Sequence, residues 1–192
     1  MDEERWRVFC TVELPFEVRE RATRHVERLR VAVPNARPSC PRAENLHLTI
    51  KFLGEILRNR VEQLSQAAER ATDNLQAFNL TIEGAGAFPP RGIPRVLWLG
   101  IKDSSSTLAK LQKSLEDECA ATGFAREDRP FHPHLTLCRV RAPQDARRLV
   151  QVHRETGFEA SVFDVMDFVV MRSELGPGGS RYTEISRHSL GI

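Results

Sequence analysis

The sequence predicts an α+β fold: bilobal, with two pseudo-twofold related β-sheets and outer helices around a central cleft. Three observations carry this. Strand-like runs alternate with runs of helical period. The order strand–helix–strand–helix–strand occurs twice, on either side of the breaker-rich run Pro89-Pro90-Arg91-Gly92-Ile93-Pro94 near the chain midpoint. Each half also carries one His-Leu-Thr strand, at His47 and at His134, 134 − 47 = 87 residues apart. That period is too long for a stacked repeat, so internal duplication explains it better. The whole of 1–192 is read as one domain whose lobes meet near 89–95.

The elements follow in order. Val8 to Leu14 is an apolar, β-branched run stopped by Pro15, a strand. From Phe16 to Val33, Val18, Ala22, Val26 and Leu29 recur at helical spacing, with Arg21, Arg24 and Arg28 on the other side. After a proline-containing loop (Pro34 to Arg42), His47 to Leu53 is a strand ended by Gly54. Val61, Leu64, Ala68 and Ala71 mark a helix from Leu57 to Ala71, and Phe78 to Phe88 is a strand. Val96 to Ile101 begins the second series as a strand. Ser106 to Ala121 is a helix with Leu108, Leu111, Leu115 and Cys119 on one face and Gly123 beyond its end. His134 to Val140 is a strand and Ala142 to Arg154 a helix. Val162 to Met171 and Arg181 to Arg187 then make a hairpin around the glycine-rich turn at 176–180.

Composition excludes several classes. The 192 residues hold 28 Lys+Arg and 26 Asp+Glu, a balance unlike that of a general nucleic-acid coat. At 41% hydrophobic and 28% charged, the chain is globular rather than disordered. No run is long and apolar enough for a membrane span, and the acidic opening Met1-Asp2-Glu3-Glu4 is unlike a signal peptide, so a cytoplasmic protein is expected. All cations except Lys51, Lys102, Lys110 and Lys113 are Arg, whose planar fork matches phosphate, although a GC-rich genome would also favour Arg. Cys10, Cys40, Cys119 and Cys138 are scattered with no CxxC pair, and read as single buried thiols in a reduced compartment.

The chemistry rests on the paired strands. Alternation puts His47 and Thr49 on one face of their strand, with Leu48, Ile50 and Phe52 on the core side. The same parity groups His134 with Thr136. Two imidazoles with pKa near 6.5 can supply both the base and the acid that phosphodiester cleavage needs. Threonine hydroxyls can donate to the non-bridging oxygens as charge builds. A rival reading makes His132, His134, Cys138 and His47 metal ligands, against which Pro133 interrupts the strand between the first two. His25, His153 and His188 read as surface residues.

Five segments then bring in a family. They are Arg7 to Pro15, Asn45 to Glu55, Pro94 to Gly100, Arg129 to Arg139 and Arg172 to Thr183. With these in order, the chain resembles the 2H phosphoesterases, and within them the RNA 2′,3′-cyclic phosphodiesterases, also described as 2′-5′ RNA ligase-like. The resemblance implies a hydrolase that opens a terminal 2′,3′-cyclic phosphate to a 2′-phosphate with no metal and no cofactor. It makes His47 the proton donor, His134 the proton acceptor, and Thr49 and Thr136 the phosphate-holding residues. Arg139 matches a family arginine that contacts phosphate, although strict alternation would turn it away from His134 unless a twist or bulge intervenes. Phe9 is a candidate base-stacking ring or else a core residue. Arg129 and Lys51 are candidate backbone-phosphate contacts or else solvated surface. The expected partners are RNA ends or nucleoside 2′,3′-cyclic phosphates, with no membrane, and a monomer is expected. The alternatives are a 2′-5′ RNA ligase joining cyclic phosphate and 5′-hydroxyl ends, and a non-catalytic RNA- or nucleotide-binding module.

Overall fold

A computed structural model of the chain describes residues 4–141, 145–177 and 179–191. Eight strands make one antiparallel sheet: β1 (Arg5–Glu13), β2 (His47–Leu57), β3 (Phe78–Phe88), β4 (Val96–Lys102), β5 (His134–Arg139), β6 (Ser161–Val165), β7 (Asp167–Gly176) and β8 (Gly179–Ser189). Their order is β6-β3-β4-β5-β2-β1-β7-β8. The four helices are α1 (Phe16–Ala32), α2 (Val61–Thr72), α3 (Thr107–Ala121) and α4 (Ala146–Thr156). Among the described residues no helix is long and apolar enough to cross a membrane.

The expected α+β class holds, with corrections. The strands form one sheet rather than two, because β2 and β5 meet in register at Leu48 and Leu135. The chain midpoint does not divide that sheet. β3 pairs with β4 across the proline-rich loop, and β7 returns to pair with β1. The strand read from Val162 to Met171 is two strands: β6 pairs with β3 at one edge, while β7 lies beside β1 near the other. An unbroken apolar run carries no signal for such a crossing. The first helix-to-helix boundary also moves. β2 runs on to Leu57, and α2 starts only at Val61. The expected start of the last helix at Ala142 lies outside the described residues, as do Met1 to Glu3 and Gly178 of the turn.

The core lies between the sheet and the helices. Val8, Cys10, Val12, Leu48, Ile50, Leu97, Leu99, Leu135 and Leu137 pack with Val18, Ala22, Leu64, Leu111 and Leu149 in one buried cluster. On the other face, Phe9, Val169 and Met171 form a small separate cluster with Tyr182. The face opposite the helices is therefore the one that can carry a site.

Two β-bulges decide which side chains reach it. Against β1, Thr49 pairs with Thr11 and Lys51 with Cys10, leaving Ile50 as an extra residue. Against β4, Thr136 pairs with Trp98 and Cys138 with Leu97, leaving Leu137 extra. An extra residue shifts the alternation by one. Lys51 and Cys138 consequently turn to the core, and Phe52 and Arg139 turn out. Lys51, expected at the surface, is 4% exposed and donates to Glu116 Oε2 at 2.7 Å and to the Ala125 carbonyl at 2.9 Å.

The cysteines also depart from expectation. The loop after α1 runs beside the end of β5, with Ser39 and Arg139 exchanging backbone hydrogen bonds of 2.8 and 2.7 Å. This brings Cys40 and Cys138 together in a disulfide, while Cys10 and Cys119 are free and buried.

Candidate active site

The Leu48–Leu135 pair fixes the geometry. In antiparallel register it sets His47 across from Thr136 and Thr49 across from His134. Each His-x-Thr motif thus meets the other diagonally, on the face opposite the helices.

Both imidazoles are held alike. His47 Nδ1 lies 2.7 Å from the carbonyl oxygen of Asn45, and His134 Nδ1 lies 2.7 Å from that of His132. A carbonyl can only accept, so Nδ1 carries the hydrogen in each ring and Nε2 is the nitrogen left for chemistry. The contact works through residue i − 2 in both cases. Among the described residues, neither threonine hydroxyl has a protein partner, which leaves both available to a ligand's oxygens.

Different aromatic walls flank the two rings. His47 has Phe9 at 4.8 Å and the edge of Tyr182 at 5.3 Å between ring centroids. His134 has Phe88 at 5.1 Å and Trp98 at 6.5 Å. Gly86 makes room for the indole, because a Cβ there would lie 2.2 Å from the Trp98 ring. Burial among these rings pushes both histidines below the usual imidazole range. The neighbouring charges differ. Glu13, the cross-strand partner of His47, favours its protonated form, whereas His132 disfavours protonation of His134. Glu13 is itself held by Arg187 Nη2 at 2.6 Å, and the same guanidinium binds Asp167 at 2.7 Å and Glu184 at 2.6 Å.

The remaining expected residues sort clearly. Arg139 is exposed on the face of His134 and Thr136, placed there by the Leu137 bulge that strict alternation omits. Phe9 is on the site face but only 3% exposed, packed between His47 and Tyr182, so it backs the imidazole instead of offering an open face to a base. Arg129 is exposed and engaged by Glu127 through two contacts of 2.9 Å, which hold that carboxyl down to about 2. Cys138, invoked for a metal, lies across the strand from His134 and is disulfide-bonded. His25, His153 and His188, expected at the surface, are buried. His25 and His153 meet at 2.8 Å between α1 and α4, and His153 Nε2 donates to the Trp98 carbonyl at 3.0 Å. Tyr182, Phe88, Glu13 and Arg187 escaped sequence reasoning, since only strand register brings them to the histidines. The nearest signal was for Tyr182, at the end of a family-like segment.

Comparison with known proteins agrees with this arrangement. The model of the 2′-5′ RNA ligase superfamily matches residues 14–177. A protein of Escherichia coli (strain K12) named RNA 2′,3′-cyclic phosphodiesterase is 34% identical over 184 residues, covering 96% of each chain. One of the same name from Methanothermobacter thermautotrophicus is 32% identical over 180 residues, covering 93% of this chain and 96% of the other. Among solved structures, E. coli LigT complexed with NADP+ superposes with a TM-score of 0.78 at 30% identity, covering 98% of this chain and 99% of that one. LigT complexed with 3′-AMP gives 0.75 at 32%, covering 98% and 100%. With the match spanning most of its length and both His-x-Thr motifs in place, the chain belongs to the 2′-5′ RNA ligase superfamily.

Proposed function

We propose that this protein is a hydrolase that opens 2′,3′-cyclic phosphates at RNA ends to leave a 2′-phosphate, with His134 as the base and His47 as the acid. The observation that carries the reading is the diagonal arrangement of two imidazoles, each anchored through Nδ1 to a carbonyl, with a threonine hydroxyl across from each. The relatives named RNA 2′,3′-cyclic phosphodiesterase supply the substrate class.

In this reading the cyclic phosphate sits among His47, Thr49, His134 and Thr136. Neutral His134 takes a proton from water through Nε2 as the water oxygen attacks phosphorus. The P–O3′ bond breaks, and protonated His47 gives its Nε2 hydrogen to O3′. The ring ends open, with a 2′-phosphate and a 3′-hydroxyl. Thr49, Thr136 and the outward Arg139 donate to the equatorial oxygens, whose charge grows in the transition state. His47 gains its acid role from Glu13 beside it. One chain provides both motifs, which supports action as a monomer, and RNA termini as substrate suit a cytoplasmic protein.

Turnover of cytidine 2′,3′-cyclic phosphate in the presence of EDTA tests the proposal. The expected product is cytidine 2′-phosphate, resolved from the 3′-isomer by phosphorus NMR. Formation of the 3′-phosphate, loss of activity in the chelator, or no turnover at all would overturn it.

A further inference from the structure

Phe52 is 48% exposed, one of the largest apolar side chains left open. Its openness follows from the bulge at Ile50, which turns it to the face that carries His47 and Thr49. It pairs across the sheet with Phe9, the residue packed beneath His47, so it lies on the same surface as the site. By the rise of β1 from Thr11 to Phe9, Phe52 stands about 7 Å along the strand from Thr49. The guanidinium of Arg7 lies 4.7 Å from the Phe52 ring centroid. The ring also walls a cavity of about 400 Å³ with Arg5, Arg60 and Phe124, so there is room beside it.

An open aromatic face with a stacked guanidinium is the combination that holds single-stranded bases, because every base has a π-face and the arginine adds charge for the backbone. The rings nearest the histidines do not offer this. Phe9 is covered, and Tyr182, Phe88 and Trp98 turn toward an imidazole. Resting on the phosphodiesterase reading above, we propose that Phe52 with Arg7 is a stacking subsite for the base of the nucleotide preceding the cyclic-phosphate nucleotide. The enzyme thereby favours an RNA strand over a mononucleotide.

The test compares two substrates in one set of variants: cytidine 2′,3′-cyclic phosphate, and a short oligoribonucleotide ending in the same group. The quantity read is the ratio of kcat/KM, oligonucleotide over mononucleotide. In F52A this ratio should fall roughly tenfold, the size of one lost base stack. F52W should restore it, and R7A should lower it by a smaller factor. A ratio unchanged in F52A, or one that F52W lowers as much as F52A does, overturns the proposal. The side chain is half open, so its truncation leaves the core filled, and a thermal melt of each variant confirms folding. Should the wild type hydrolyse neither substrate, the phosphodiesterase reading fails on its own. Fluorescence anisotropy with 2′-phosphorylated oligonucleotide and nucleoside 2′-phosphate then decides the subsite by the same ratio.

Discussion

From His47 to Phe52 and from His134 to Arg139 the chain does the same thing twice. Histidine and threonine are half-buried, the residues between and after them are buried, an extra residue follows the threonine, and the sixth side chain is exposed. Each imidazole hands its Nδ1 hydrogen to the carbonyl two residues back. The backbone therefore makes two equivalent tools. What separates them is supplied by other strands: Glu13 from β1 stands beside His47, and His132 stands beside His134. A carboxylate favours the imidazolium and a second imidazole opposes it. Local backbone geometry builds the pair, and neighbouring charges assign acid to one member and base to the other.

The largest effects come from removing either tool. H47A and H134A should each lower kcat by a factor of about 10²–10⁴ on the cyclic mononucleotide, with melting temperatures near that of the wild type. Their residual pH–rate profiles should break the symmetry. The wild-type profile rises as His134 loses its proton and falls as His47 loses its own. Burial lowers both transitions, so the maximum lies toward the acid side of the ordinary imidazole range. H134A should lack the rising limb and H47A the falling one. The reverse pattern would exchange the two roles.

A second experiment concerns the brace between the two regions. His153 donates from Nε2 to the Trp98 carbonyl, so its Nδ1 accepts from His25 Nε2, and the chain of bonds ties α1 to β4 beside His134. This requires both rings neutral. Burial first, then His153 and Arg28, bring His25 down to about 4. Above the unfolded value of about 6.5 the folded and unfolded rings are both neutral, and the pair contributes in full. As pH falls from there toward 4, the unfolded chain takes up a proton that the folded one refuses, and stability is lost, on the order of 3 kcal/mol over the window. Thermal melts from pH 7 to pH 4 should show that slope. In H25M it should shrink by about one proton, and an unchanged slope would remove the brace from the account.

How much of this was legible depended on whether the information was local. The two His-x-Thr strands could be read from a handful of residues, because a period of two fixes which side chains share a face. That rule fails where an extra residue is inserted, and nothing in Thr49-Ile50-Lys51 marks the insertion. Lys51 faces inward because Glu116, 65 residues later on α3, waits for it there. Arg139 was legible as a phosphate ligand by resemblance and illegible by alternation, and the bulge reconciles the two. His25 and His153 carried no sign of each other across 128 residues. Cys40 and Cys138, 98 apart, were hidden in the same way. Likewise, the passage from β6 to β7 spans the sheet without a breaker to announce it. Pairings between distant segments are set by packing, and a single sequence read locally does not display them.

The smallest effect is also the one aimed most directly at the contrast between the two histidines. If Glu13 is what makes His47 the acid, E13Q should keep the fold, since Gln fills the same volume, yet withdraw the charge that favours the imidazolium. His47 also faces Tyr182 and Arg187 from β8 and His134 from β5, and none of these offers it a carboxylate in Glu13's place. The falling limb of the profile should then move to lower pH while the rising limb, owned by His134, stays. At a pH above that limb the rate should drop about threefold to tenfold, as half to one pH unit of movement would give. H132N provides the mirror experiment. The carbonyl that holds His134 belongs to the backbone and survives, so only the opposing imidazole is lost and the rising limb should move up in pH. Movement of both limbs together in either variant would mean that the two histidines titrate as one coupled pair, and the division of labour would then lie in how the phosphate is seated.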